Sequence, residues 1–219
     1  MGVSYVLMTE NEAFPGVKRT AEKVAEDFRR VTGTRPGLRT DGGADDFRKA
    51  AEEKTAVLEK AAKETGAGQE IVILAATLGH SSLVEKLVES GLLSENPIDR
   101  IQGKREVYLR VFLPEALDGK DLVLILGSDK RGTIYGLFSL SEYIGVTPLT
   151  FFGDAPLVHR KELILGEAVN AVSKEPSVEY RGFFINDEWP AFGSWCIEHF
   201  GGFNASLYHC VFEFPLRMK

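Results

Sequence analysis

Helical periodicity dominates the first third of the chain. Apolar side chains recur every three or four residues between positions 17 and 31, and Gly33 follows at a point where helices commonly end. The stretch 44–63 is rich in Ala, Glu and Lys and has a similar apolar spacing, so it predicts a second helix. Residues 36–43, between the two, predict a loop or a short strand.

The middle of the chain predicts a buried sheet. Continuous apolar runs at 70–75 and 121–126 have the length of strands that are buried on both faces, and each precedes a glycine-containing turn and a helical pattern. In the first turn, Ser81 or Ser82 can cap the helix that follows. Alternating residues at 107–111 predict a half-buried strand. Two strand–turn–helix units predict an α/β domain, a mixed α+β layering of helices on a sheet.

The last quarter of the chain has a different pattern. Residues 157–172 are strand-like, and 173–176 have the composition of a linker. A strand is then predicted at 181–185, followed by two helices, the first opened by Pro190 and the second at 206–216.

These patterns predict two domains. Residues 177–219 are too few to bury a hydrophobic core of their own. We therefore expect a mixed sheet-and-helix domain at 1–172 and the truncated beginning of a second domain at 177–219.

Charge and composition exclude several functional classes. The formal net charge is −6, from 26 basic and 32 acidic residues, and no dense basic stripe is present, which argues against nucleic-acid binding. The apolar runs are far shorter than the ~20 residues that a membrane helix needs, so no membrane association is expected. With four histidines and no Cys-x-x-Cys pair, no metal site is expected.

The loop at 127–133 follows a buried strand and opens a helix, as phosphate-binding loops do. The Walker A pattern needs a lysine directly before the Ser/Thr, where this chain has Gly132, and the dinucleotide pattern is absent as well. Two alternatives stay open, a purely structural turn and a contact with a ligand or another domain. Because Asp129, Lys130 and Arg131 crowd the tip, we assign them to an interdomain loop.

The polar cluster Asn186-Asp187-Glu188 follows the predicted strand at 181–185. In barrels the carboxyl ends of the strands build the active site, and amide and carboxyl groups are suited to sugar hydroxyls and to acid–base chemistry. The alternative is that Asp187 or Glu188 only caps the helix that Pro190 opens.

Three segments together resemble glycoside hydrolase family 115, the xylan α-1,2-glucuronidases. Tyr-Arg-Gly-Phe-Phe-Ile-Asn-Asp-Glu at 180–188, followed by Phe-Gly-Gly-Phe-Asn at 200–204, resembles the start of the family's catalytic barrel. Gly-Ser-Asp-Lys-Arg-Gly-Thr-Ile-Tyr-Gly at 127–136 and Thr-Leu-Gly-His-Ser-Ser-Leu at 77–83 resemble signatures of its N-terminal domain. The segments occur in the family's order.

The resemblance implies an α/β N-terminal domain followed by the first strand and helices of a (β/α)8 barrel. It implies inverting removal of glucuronic acid or 4-O-methyl-glucuronic acid from xylan, without a cofactor, by a catalytic acid that lies beyond this chain. It further implies that Asn186 and Asp187 contact the sugar, and that Glu188 holds these two side chains in position without contacting the sugar itself.

The family's partners would be glucuronoxylan or aldouronic oligosaccharides, in an extracellular or periplasmic location, and a homo-oligomer of the full-length protein stays open. The alternative function is a noncatalytic module that binds carbohydrate or another protein chain.

Overall fold

Six strands form one mixed sheet in the computed structural model, which describes residues 3–42, 69–117, 119–153, 156–161, 163–186 and 189–219. The strands are β1 Ser4–Glu10, β2 Gly37–Gly42, β3 Glu70–Thr77, β4 Tyr108–Leu117, β5 Lys120–Gly127 and β6 Ala171–Val172. Their spatial order is β2-β1-β3-β5-β4-β6. The first three strands and β5 run parallel, whereas β4 runs antiparallel to both of its neighbours.

Helices cover both faces of this sheet. They are α1 Pro15–Thr32, α2 Ser82–Glu89, α3 Glu95–Asp99, α4 Lys130–Ile144, α5 Ala191–Phe200 and α6 Ala205–Met218. Helices α1 and α4 pack on one face, and α2 and α3 on the other. The α/β layering predicted from the sequence is confirmed, while the helix predicted at 44–63 lies outside the described residues. Among the residues that are described, no helix is both long and apolar enough to cross a bilayer.

Strands β3 and β5 lie at the centre of the sheet, and their alternate residues feed two separate cores. Ile71 and Ile73 face the core under α1 and α4, whereas Val72 and Leu74 face the core under α2 and α3. A strand with helices on both sides must be apolar on both faces. This explains why the continuous apolar runs identified the two strands correctly.

The turn between β5 and α4 is closed by a side chain and by close backbone packing. Asp129 caps α4, since its Oδ1 accepts a hydrogen bond from the Gly132 N–H at 2.8 Å. A Cβ atom at Gly132 would lie 2.2 Å from the Val107 carbonyl oxygen, so only glycine fits there. The corresponding cap of α2 is Ser81, whose Oγ accepts from the Val84 N–H at 3.1 Å, as predicted.

Two strand predictions are wrong. Of the described residues in the strand-like stretch 157–172, only Ala171–Val172 pair in the sheet. The Tyr5 hydroxyl donates to Leu163 O, and Arg160 N–H donates to Val31 O at 2.9 Å, so this part of the chain packs over β1 and α1 instead. The predicted strand at 181–185 is irregular and mostly exposed, because no described strand lies beside it to pair with. The first strand of the predicted barrel is therefore not observed among the described residues, although both helices predicted after it are confirmed.

The C-terminal helix α6 docks on the α/β domain through a buried ionic network. The Arg217 guanidinium is 2.7 Å from Asp27 Oδ2 on α1 and bonds Glu213 one turn earlier on α6. All three side chains are at most 6% exposed. The guanidinium carbon also lies 4.5 Å from the ring centroid of Phe138 on α4, which ties α6 to both helices of that face.

Candidate functional site

Asn186 is the one member of the predicted polar cluster that the structure describes. It is exposed and lies on the wall of an apolar cleft of about 320 Å³, whose aromatic side chains are Phe152, Phe183, Phe184, Phe192 and Phe214. Asp187 and Glu188 lie outside the described residues. The alternative prediction, that one of them caps α5, lies outside the described residues as well.

An aromatic cluster fixes the helices that follow Asn186. The Trp195 ring is at the centre, with centroids of Phe152 at 5.5 Å and Phe200 at 5.6 Å, and a stacked Phe192 ring at 6.2 Å. Because Phe152 lies in the segment that follows α4, the cluster joins α5 to that segment. Aromatic pairs at these distances add stabilisation beyond the area that they bury.

Trp189 flanks the cluster on its exposed side. Its side chain is 62% exposed, and it lies against the first turn of α5 at Gly193. A Cβ atom at Gly193 would be 2.7–2.9 Å from three atoms of the indole, so the glycine is what admits the ring. The result is an open aromatic surface three residues from Asn186.

The predicted interdomain loop contacts a buried carboxylate, that of Glu106. The Arg131 guanidinium donates to Glu106 Oε1 at 2.9 Å, and the Arg181 guanidinium donates to Oε2 of the same carboxylate. Asp129 Oδ2 accepts the backbone N–H of Glu106 at 2.8 Å, in addition to capping α4. Lys130 is exposed.

Tyr135 completes this arrangement, since its hydroxyl oxygen accepts from Arg181 at 3.3 Å. We call Glu106, Arg131, Tyr135 and Arg181 the Glu106 cluster. Sequence reasoning missed Glu106 because a single glutamate before a strand carries no pattern. Arg181 lies inside the stretch that resembles family 115, which is the signal that could have drawn attention to it.

The electrostatics of the cluster favour an ionised Glu106. Burial alone would raise the pKa of this carboxyl, but the hydrogen bonds from Arg181 and Arg131 outweigh burial and lower the pKa below its ordinary value. Burial raises the pKa of the neighbouring Tyr135 hydroxyl, so it stays neutral in the physiological range. The cluster thus contains one carboxylate held by two guanidinium groups.

A cleft of about 490 Å³ lies directly over the Glu106 cluster. Its polar wall contains Arg131, Arg181 and Lys219, and its apolar wall contains Phe183 and Phe214. This cleft and the one at Asn186 share both phenylalanine rings, so the two lie side by side. Across the described ranges, no three His, Cys, Asp or Glu side chains converge in a way that could hold a metal ion.

Comparisons with known proteins agree with the resemblance seen in the sequence. Residues 173–219 match the family model described as Glycosyl hydrolase family 115. Chains of solved structures also match, among them one described as a novel family GH115 4-O-methyl-alpha-glucuronidase, BtGH115A, with specificity for decorated arabinogalactans.

The alignment with that structure covers 100% of this chain at a TM-score of 0.66 and 21% identity, which shows a shared fold. It covers 24% of the other chain, so the present chain spans about a quarter of that protein's length. No curated protein matches.

Proposed function

We propose that this chain, whose residues 173–219 match glycoside hydrolase family 115, is the N-terminal part of an α-glucuronidase. The family match is the observation that carries the proposal, since it includes Asn186 and the helices that surround it. The shared fold of the whole chain with a larger family 115 glucuronidase supports the same conclusion. Residues 1–172 would form the α/β domain, and 177–219 would begin the catalytic barrel.

The proposed reaction is inverting hydrolysis. Inversion needs a general acid and a general base ~6.5–9.5 Å apart, with the attacking water between them. The acid would come from a later part of the barrel, beyond residue 219. Asn186 and Asp187 would bind the uronic acid, because amide and carboxylate groups can form hydrogen bonds with its hydroxyls. Glu188 would hold these two side chains in position without contacting the sugar itself.

The proposed substrates are glucuronoxylan and the aldouronic oligosaccharides derived from it, from which the enzyme would release glucuronic acid or its 4-O-methyl ether. The structurally similar glucuronidase is described as specific for decorated arabinogalactans. An activity assay should therefore offer each of them.

The sugar-binding role of the Asn-Asp pair can be tested in the full-length enzyme with Asp187→Ala. A hydrogen bond between a charged group and a ligand is worth ~1.5–3 kcal/mol, so we expect kcat/KM for release of glucuronic acid to fall roughly 10- to 150-fold. The matched control is Asp99→Ala, which removes an exposed carboxylate at the end of α3 and should leave kcat/KM unchanged.

Two results would count against this assignment. A folded Asp187→Ala enzyme with wild-type kcat/KM would show that the pair only caps α5. Binding of the oligosaccharides without any turnover by the full-length protein would favour the noncatalytic carbohydrate-binding module instead.

A further inference from the structure

The backbone at Glu106 has a conformation that glutamate rarely adopts. Its φ of 58° lies in the left-handed region, where glycine is strain-free and a long side chain is not. The side chain is nevertheless 4% exposed and fully engaged by two guanidinium groups. Glycine would adopt this backbone conformation with less strain, so we attribute the glutamate at this position to the contacts that its carboxylate makes.

Arg105 and Tyr108, which lie close to Glu106 on either side, contact the same distant segment. Arg105 N–H donates to Glu175 Oε1 at 2.8 Å. Ser173 and Tyr108 are joined by two hydrogen bonds, from Tyr108 N–H to Ser173 Oγ at 3.0 Å and from Ser173 N–H to Tyr108 O at 2.9 Å. Residues 105–108 therefore contact the chain directly after β6, where it leaves the sheet. The family match begins at the same place, at residue 173.

Of the residues after β6 that make these contacts, Arg181 is the one nearest to Asn186 in the sequence. Its guanidinium bonds Glu106 and Tyr135 on the α/β domain and also donates to Val178 O at 3.0 Å. Arg181 thus stabilises the turn of its own segment and also attaches that segment to Glu106 and Tyr135. Among the described residues from 178 to 185, no backbone–backbone hydrogen bond to another described residue is present, and the side-chain contacts of Arg181 attach the segment.

We infer that Glu106 is the positioning residue through which the α/β domain fixes the segment leading to Asn186. Only the naming of Asn186 as a sugar ligand rests on the proposed function. The attachment itself is a property of this chain and can be measured without substrate.

Trypsin offers a direct readout, because it must take the Arg181 side chain into its own binding pocket to cut before Gly182. Cleavage there requires the pair with Glu106 to open, and its rate follows the population of the open form. In the 219-residue chain, Glu106→Gln and Glu106→Gly should each raise this cleavage rate about tenfold or more, since a charge-assisted pair is lost.

Glu115→Gly is the matched control. Glu115 also has a left-handed backbone, with φ of 52°, and its N–H also bonds a carboxylate, Asp121 Oδ1 at 3.0 Å, but its side chain is exposed. Its replacement should leave cleavage after Arg181 unchanged. Equal rates in the wild type and both Glu106 variants would overturn the inference, and so would an equal acceleration by Glu115→Gly.

A second readout on the wild-type chain does not depend on the folding of any variant. The groups that face Glu106 are Arg131, Tyr135, Arg181, Asp129 and Lys219. Because its folded pKa is lowered, attachment should be complete above the ordinary glutamate pKa and be lost as the pH falls through the folded value.

The amide resonance of Gly182, followed by NMR during acidification, should report this transition. The same transition should be absent in Glu106→Gln. A Gly182 resonance that does not move in the wild type, or that titrates identically in Glu106→Gln, would show that another group holds the segment.

Discussion

Replacement of Gly132 by alanine is expected to destabilise the whole α/β domain severely. The new Cβ atom would lie 2.2 Å from the carbonyl oxygen of Val107 and 3.0 Å from its carbonyl carbon, and both are backbone atoms that cannot rotate away. Relief would require α4 to move off β4. Such overpacking costs ~3 kcal/mol or more, a large part of the stability of a single domain. Urea denaturation followed by circular dichroism would measure the loss.

Gly166→Ala provides the control for this prediction. Gly166 has an extended backbone, and a Cβ atom there would meet nothing within 4 Å. We expect its unfolding free energy to stay within ~0.5 kcal/mol of the wild type. If Gly132→Ala were as stable as Gly166→Ala, the close packing of α4 on the Val107 backbone would be refuted.

A second large loss of stability is expected from Arg217→Met. The substitution keeps an unbranched side chain of similar reach against Phe138 but leaves the carboxylates of Asp27 and Glu213 buried without their main partner. Breaking a buried ion pair in this way costs ~3–5 kcal/mol. The loss should appear in the urea midpoint and in release of the C-terminal helices from the α/β domain.

Arg29→Met is the corresponding surface control. Arg29 pairs with Glu26 on α1, and both side chains are more than 40% exposed, so water replaces the interaction when it is removed. Its urea midpoint should stay close to that of the wild type. A similar midpoint for Arg217→Met would mean that the bonds of Arg217 add nothing to the docking of α6, which would then rest on apolar contacts and on the Lys23–Glu213 pair.

The sequence was most informative where one periodicity dominates a long segment. The central strands β3 and β5 are continuously apolar over 71–76 and 122–126 because helices cover both faces of the sheet. Helices α1 and α4 each end at a left-handed glycine, Gly33 and Gly145. Strand β1 also has a parallel neighbour on each side, β2 and β3, but the mixed composition of Ser4–Glu10 concealed it. Its burial comes from the strands beside it and cannot be read from its own pattern.

The candidate site was predictable only in part, because its decisive contacts join residues far apart in the chain. The pattern around residue 129 correctly indicated a turn that opens a helix, yet nothing local shows that Arg131 and Arg181 share the carboxylate of Glu106. The Asp27–Arg217 pair spans almost the whole chain and was missed for the same reason. The strand predicted at 181–185 has strand-like composition, but a strand also needs a neighbour to pair with.

Our central proposal is that this chain supplies the α/β domain and the first substrate contacts of a glucuronidase whose catalytic acid would lie further along a longer protein. The most direct test measures glucuronic acid released from aldouronic oligosaccharides and decorated arabinogalactans by the full-length protein and by the 219-residue chain. We expect turnover by the former and none by the latter, because inversion needs two acid–base groups across the scissile bond and the proposal places the acid beyond residue 219. Turnover by the 219-residue chain, or none by the folded full-length protein on either substrate, would contradict the claim.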